Sequence, residues 1–123
     1  MSNTKTNQSI SPAELYKLTL SREGHTMSEL LTKTVCVDAW AIVETVDSNG
    51  EFKPRCGIIV DGVPYITNSR AFSERLLSIV GFLGTAGMAD VGFKMQITQI
   101  RSKNNRNYTS CELISSDVYR QGV

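Results

Sequence analysis

Eight consecutive residues, R-S-K-N-N-R-N-Y from Arg101 to Tyr108, hold three cations, three amides and an aromatic ring, with no acid among them. Arg101, Lys103 and Arg106 suit the pairing of phosphates. Asn104, Asn105 and Asn107 supply amide donors and tolerate the left-handed backbone of a tight turn. Tyr108 adds a face on which a base stacks, worth about 1–3 kcal/mol. The stretch lies in a wider basic segment, because the charged residues between Asp90 and Glu112 are Lys94, Arg101, Lys103 and Arg106. That segment carries +4 in a chain of net charge +1, so the remainder stands at −3. A solvated hairpin tip has the same composition, so the elements around the stretch must decide between the two readings.

Residues 1–10 are polar and uncapped, which predicts a flexible arm. Ser11-Pro12-Ala13-Glu14 is a helix start, with Ser at the N-cap, Pro at the first helical position and Glu placed to close a capping box. Leu15 and Leu18 give that helix an apolar stripe, and the segment 11–25 closes at Gly24. A second T-x-x-E, Thr26 to Glu29, predicts a short helical turn before the next element. From Thr34 to Val46 the period is two: Val35, Val37, Ala39, Ala41, Val43 and Thr45 share one strand face, read as the core. Cys36, Asp38, Trp40, Ile42, Glu44 and Val46 share the other. Asp47-Ser48-Asn49-Gly50 is a hairpin turn, a second strand runs from about Lys53 to Val60, Asp61-Gly62 turns again, and Val63 to Thr67 is a third strand. A helix follows, with Asn68 or Ser69 as cap and Phe72, Leu76, Ile79, Val80 and Leu83 on one face. A glycine-spaced loop over 84–91 precedes two more strands, one from Phe93 to Arg101 and one after Tyr108.

Three meandering strands, a helix and a closing hairpin is the element order of the OB-fold, a five-stranded, partly open Greek-key barrel. The expected fold is therefore mainly β: such a barrel over 26–116, with its helix between strands 3 and 4, an additional N-terminal helix and a short tail over 117–123. An open α+β sheet is the alternative. In the barrel, the Arg101–Tyr108 stretch joins strands 4 and 5, in one of the loops that OB-folds use on ligands. Trp40 falls on the non-core face of the first strand, where it serves a binding surface, packs under the N-terminal helix or lines an oligomer interface. Tyr108 and Lys94 also fall outside, and Lys53 and Arg55 extend the groove. Stacking aromatics flanked by cations are what sequence-tolerant binding of a single strand requires.

The short T-x-x-E turn, the long first strand, Tyr65-Ile66-Thr67 before the helix and Ser102-Lys103-Asn104-Asn105-Arg106-Asn107-Tyr108 before the last strand resemble the small phage-encoded single-stranded DNA-binding proteins of Gram-positive hosts, those of lactococcal phages in particular. The resemblance spans roughly residues 26 to 114. It implies an OB-fold that coats single-stranded DNA in phage replication or recombination, as a homo-oligomer, alongside phage recombination or replication proteins. Tyr65 joins the expected binding residues here. Cellular single-strand binders carry a Gly- and Pro-rich linker and an acidic tail, whereas the last residues here are S-S-D-V-Y-R-Q-G-V, which puts tail-mediated recruitment in question.

Other classes find less support. The sole histidine, His25, lies beside Gly24 and has no nucleophile partner in view. Gly81, Gly84 and Gly87 follow a helix and precede no lysine, so they form no phosphate loop. Asp38 and Glu44 lie about 20 Å apart along a strand, too far for a paired acid and base. Cys36, Cys56 and Cys111 are odd in number and lack C-x-x-C spacing, so neither a zinc site nor a disulfide framework is expected. The expectation is a non-enzyme without cofactor or metal, in the cytoplasm of the host cell and away from membranes. An OB-type module that docks a host or phage protein is the alternative function.

Overall fold

The computed structural model describes residues 3–21, 24–46, 48–101 and 107–116. The chain runs β1 (Asn3–Thr6), α1 (Pro12–Thr19), β2 (His25–Thr26), a 3-10 turn (Met27–Leu30), β3 (Thr34–Cys36), β4 (Ala39–Val46), β5 (Phe52–Val60), β6 (Val63–Thr67), α2 (Arg70–Thr85), β7 (Lys94–Arg101) and β8 (Asn107–Ser115). The strands form two sheets, one in the order β1-β4-β5-β6-β2 and one in the order β3-β7-β8. The fold is mainly β with two helices.

The long first strand is split, and the split joins the sheets. The Val37 amide donates to the Phe93 carbonyl and Gly92 donates back to Val37, whereas the next amide, Asp38, donates to Ile59 of β5. The chain therefore leaves one sheet and enters the other between residues 37 and 38. Crossing over shifts which residues face inward: Val35 and Val37 enter the main core, and so do Trp40 and Ile42. Ala39 and Ala41 point the other way, yet they too are buried, in a second cluster with Leu18 of α1 and Ile59. Alternation predicts one buried face only; β4 has two because a helix covers the second.

Local chemistry accounts for the helices. Ser11 Oγ accepts from the Glu14 amide while Glu14 Oε1 accepts from the Ser11 amide, so the predicted capping box closes at both ends. Leu18 then packs on β5 where Gly57 leaves room, since a Cβ there would stand 2.8 Å from Leu18 Cδ2. In α2, Phe72, Leu76, Ile79 and Leu83 enter the main core as the stripe predicts, and the helix runs on past Gly81 and Gly84 to Thr85, further than the glycines suggest. Between β5 and β6, pairing of Val60 with Val63 leaves Asp61 and Gly62 as the two loop residues. Both have positive φ, 52° and 79°, which is the hairpin turn whose twist suits flanking strands.

The amino-terminal residues do not form an arm. Residues 3–6 pair antiparallel with β4, Thr4 opposite Val43 and Lys5 opposite Ile42. Asn7 extends the ladder, its side-chain oxygen accepting from the Trp40 amide at 3.0 Å. Polar composition does not exclude a strand here, because the edge of β4 supplies the backbone partners.

Among the described residues no ladder joins β6 to β8, and the two sheets do not close into a barrel. Side chains of α2 occupy that edge instead: Ser69 Oγ donates to the Thr109 carbonyl at 2.9 Å and Arg75 Nε to the Cys111 carbonyl at 3.3 Å. The carbonyls that a further strand would have used are satisfied by the helix and its cap.

Candidate nucleic-acid interface

The expected binding residues do not come together on one surface. Lys103, Asn105 and Arg106 lie outside the described residues. Arg101, Tyr108 and Lys94 sit on the β7–β8 ladder and are exposed. Ile100 pairs with Tyr108 and Arg101 with Asn107, so the register is held up to the last described residue of each strand. Tyr108 is 39% and Ile100 48% exposed, a paired apolar step at the end of an otherwise polar surface. Alternation places Lys94, Ile100 and Tyr108 on the outer face, and Arg101 and Asn107 on the face that carries Ile97 and Cys111 into the core. Lys94 lies roughly 20 Å from Ile100 along the strand, so these groups form a track and not a cluster.

Trp40 is not on that surface. It is 3% exposed within the main core, and its Nε1 donates to the Asp90 carbonyl at 2.9 Å. The reversal of faces at Val37–Asp38 turns it inward, so neither the binding surface, the underside of α1 nor an oligomer interface holds it.

Arg55 is also committed elsewhere. Its Nε donates to the Leu18 carbonyl at 3.2 Å and its Nη2 to the Ser21 carbonyl at 2.6 Å, where the last turn of α1 leaves carbonyls without helical partners. This cation anchors a helix end and is not free for a phosphate. Arg55→Met is expected to lower stability by about 1–3 kcal/mol, as hydrogen bonds to a charged group do when removed. Urea midpoints would show the loss, and faster amide exchange in α1 would locate it. Lys53 of β5 lies opposite Thr45 of β4 in the ladder.

Tyr65 is half-buried against the main core, and the His25 ring leans on it with centroids 5.5 Å apart at 46°. It is a floor beneath His25 more than an open stacking face. His25 Nδ1 lies 3.1 Å from Glu29 Oε2, which also accepts from the Thr26 amide at 3.1 Å. Beside this pair lies a cleft of about 350 Å³, lined by residues 24–28, by Ile66, Thr67 and Asn68 and by Thr109. It lies where β2, paired in parallel on the edge of β6, and the end of β6 face β8 with no ladder between them among the described residues. Nothing periodic in the sequence points to it, because three distant segments build it; the one chemical cue was the histidine.

The outer face of β4, β5 and β6, by contrast, is closed by α1 through Leu18 on Ala39, Ala41 and Ile59. Burial pushes the Cys111 thiol up to about 12 and raises Cys56 as well, so both remain protonated at neutral pH. Among the described residues no three His, Cys, Asp or Glu side chains gather as a metal site, and no helix is long and apolar enough to cross a membrane. No family model, curated protein or solved structure matches this chain.

Proposed function

We propose that this chain binds single-stranded DNA, coating it without strong sequence preference through phosphate contacts and base stacking. The observation that carries the reading is the β7–β8 hairpin. Its two strands present Lys94 and the exposed Ile100–Tyr108 pair on one face and Arg101 on the other, the sequence between them holds Lys103, Asn105 and Arg106, and the one acid on the two strands, Glu112, is paired with Arg75. The architecture is consistent with an OB-type plan, in which one long strand is shared between two sheets and a helix follows the third strand of the meander, here with the barrel left open at β6 and β8. The resemblance to phage single-strand binders puts the activity in phage replication or recombination, in the cytoplasm of the host cell, with homo-oligomers and replication or recombination proteins as partners. Leu18 is buried in its own chain, so the apolar surface that α1 and its cap offer to an oligomer contact is the exposed Tyr16 and Leu20.

The test is fluorescence anisotropy of a labelled oligo-thymidine across a salt series, with duplex as competitor. Neutral substitutions at Arg101, Lys103 and Arg106 together are expected to flatten the slope of log affinity against log salt by about 2, at roughly 0.7 per phosphate contact. Tyr108→Ala is expected to leave the slope and lose about 1–3 kcal/mol. Unchanged binding of the triple variant at every salt would reject the assignment. Absence of oligonucleotide binding altogether would favour the protein-docking alternative, for which exposed Phe82, over a groove with Ile79 and Leu113, is the surface.

A further inference from the structure

We infer that the cleft between β2, the end of β6 and β8 is a nucleobase pocket, into which one unstacked base of the bound strand is turned while its phosphate stays on the hairpin. The inference rests on the single-strand reading above and adds a specific subsite to it.

The lining is suited to the edge of a base. Thr26, Ser28, Thr67 and Thr109 contribute hydroxyl-bearing side chains, Asn68 an amide and His25 an imidazole, around about 350 Å³ of open space. That volume lies in the range of small-molecule sites, and such sites combine apolar walls with a few placed polar groups. Met27 and Ile66 supply the apolar part of the wall. Several of these hydroxyls already have one partner: Thr26 Oγ1 and Ser28 Oγ lie 3.0 Å apart, and Thr67 Oγ1 accepts from the Ser69 amide at 3.2 Å. A hydroxyl has one donor and two acceptor positions and rotates to suit its partner, so capacity remains for a base edge of either polarity. Such a lining reads no sequence strictly, which fits a coating protein.

Electrostatics divides the nucleotide between pocket and hairpin. A carboxylate beside the cleft, that of Glu29, is held by the Thr26 amide and by His25, both of which line it. A carboxylate at that wall disfavours a phosphate and tolerates a neutral base. The cation is on the other side. Arg101 and Asn107 form the ladder pair two residues beyond Gln99 and Thr109, on the same hairpin face as Thr109, so Arg101 stands roughly 7 Å along the strand from the pocket wall. His25 itself is 53% exposed and backed by Tyr65, so its ring presents one face for stacking without further rearrangement. The gap is a built feature, since Ser69 and Arg75 occupy the β8 carbonyls that a closing strand would need.

The experiment uses the full chain, oligo-thymidine and an otherwise identical strand of abasic deoxyribose phosphates. Amide shifts on titration with oligo-thymidine are expected at Thr26, Ser28 and Asn68, none of which lies on the hairpin. Asn68→Ala is expected to weaken oligo-thymidine about 3- to 10-fold, the loss of one hydrogen bond, and His25→Ala about tenfold through lost stacking. Both variants should retain the wild-type salt slope and bind the abasic strand as the wild type does. Oligo-thymidine that binds and shifts only hairpin amides would overturn the pocket and leave the function standing. Equal losses on the abasic strand would likewise overturn it, by showing that the cleft holds backbone and not base. Failure of the wild type to bind either strand would remove the function and the pocket together.

Discussion

Trp40→Ala is expected to cost about 3–5 kcal/mol, the range for emptying a large aromatic from a packed core. The whole stability of a domain this size is about 5–15 kcal/mol, so the variant should lose a large share of it and unfold at a much lower urea concentration. The loss has two sources. The indole lies with Val35, Val37 and Ile42 in the main core and is 3% exposed, and its removal leaves the Asp90 carbonyl without the N–H at 2.9 Å. Trp40→Phe separates them, keeping most of the apolar volume and giving up the hydrogen bond, for a loss of about 1–2 kcal/mol. Urea midpoints on the three proteins make the comparison, and iodide should quench the native indole weakly. A stable Trp40→Ala protein that no longer bound oligonucleotide would put the ring back on the binding surface.

The second large effect lies on the opposite face of the same strand. Leu18→Ala is expected to cost about 2–5 kcal/mol, because the leucine is wholly buried on Ala39, Ala41 and Ile59. Gly57→Ala should also destabilise, by about 1–3 kcal/mol, since the new methyl would stand 2.8 Å from Leu18 Cδ2 and 2.7 Å from Ile66 Cδ1. Combined, the two should be far from additive. Removing the Leu18 branch relieves one of the two contacts, and a favourable coupling of about 0.5–3 kcal/mol is expected from the four-protein cycle. Additive losses would mean that α1 does not rest on Gly57 in solution.

These two positions also show where sequence reasoning loses its grip. Period-two alternation identifies a strand when one face meets water and the other does not, and it reads β7 correctly, with Met95 and Ile97 inside and Lys94 outside. In β4 both faces are covered, so polarity cannot choose between them, and the crossing at Val37–Asp38 reverses the faces in a way no residue type announces. The role of Arg55 is hidden for a related reason. A cation in a strand looks like surface, and its partners are carbonyls at the end of a helix more than 30 positions earlier. The capping box of α1, the stripe of α2 and the Asp61-Gly62 turn were legible because each is written within a few neighbouring residues. The order of strands and helix was legible too; the opening between β6 and β8 was not, since it depends on Ser69 and Arg75 reaching across to backbone.

One consequence concerns the first few residues. By pairing with β4, β1 covers hydrogen-bonding groups that would otherwise form a long open sheet edge, the feature through which separate chains add strands to one another. The cover is a single four-residue strand, connected to the rest by the short segment before Ser11. A guard of that size fits its own sheet and would fit the identical edge of a second copy equally well, so the segment that covers this edge is also one that two copies would be able to exchange.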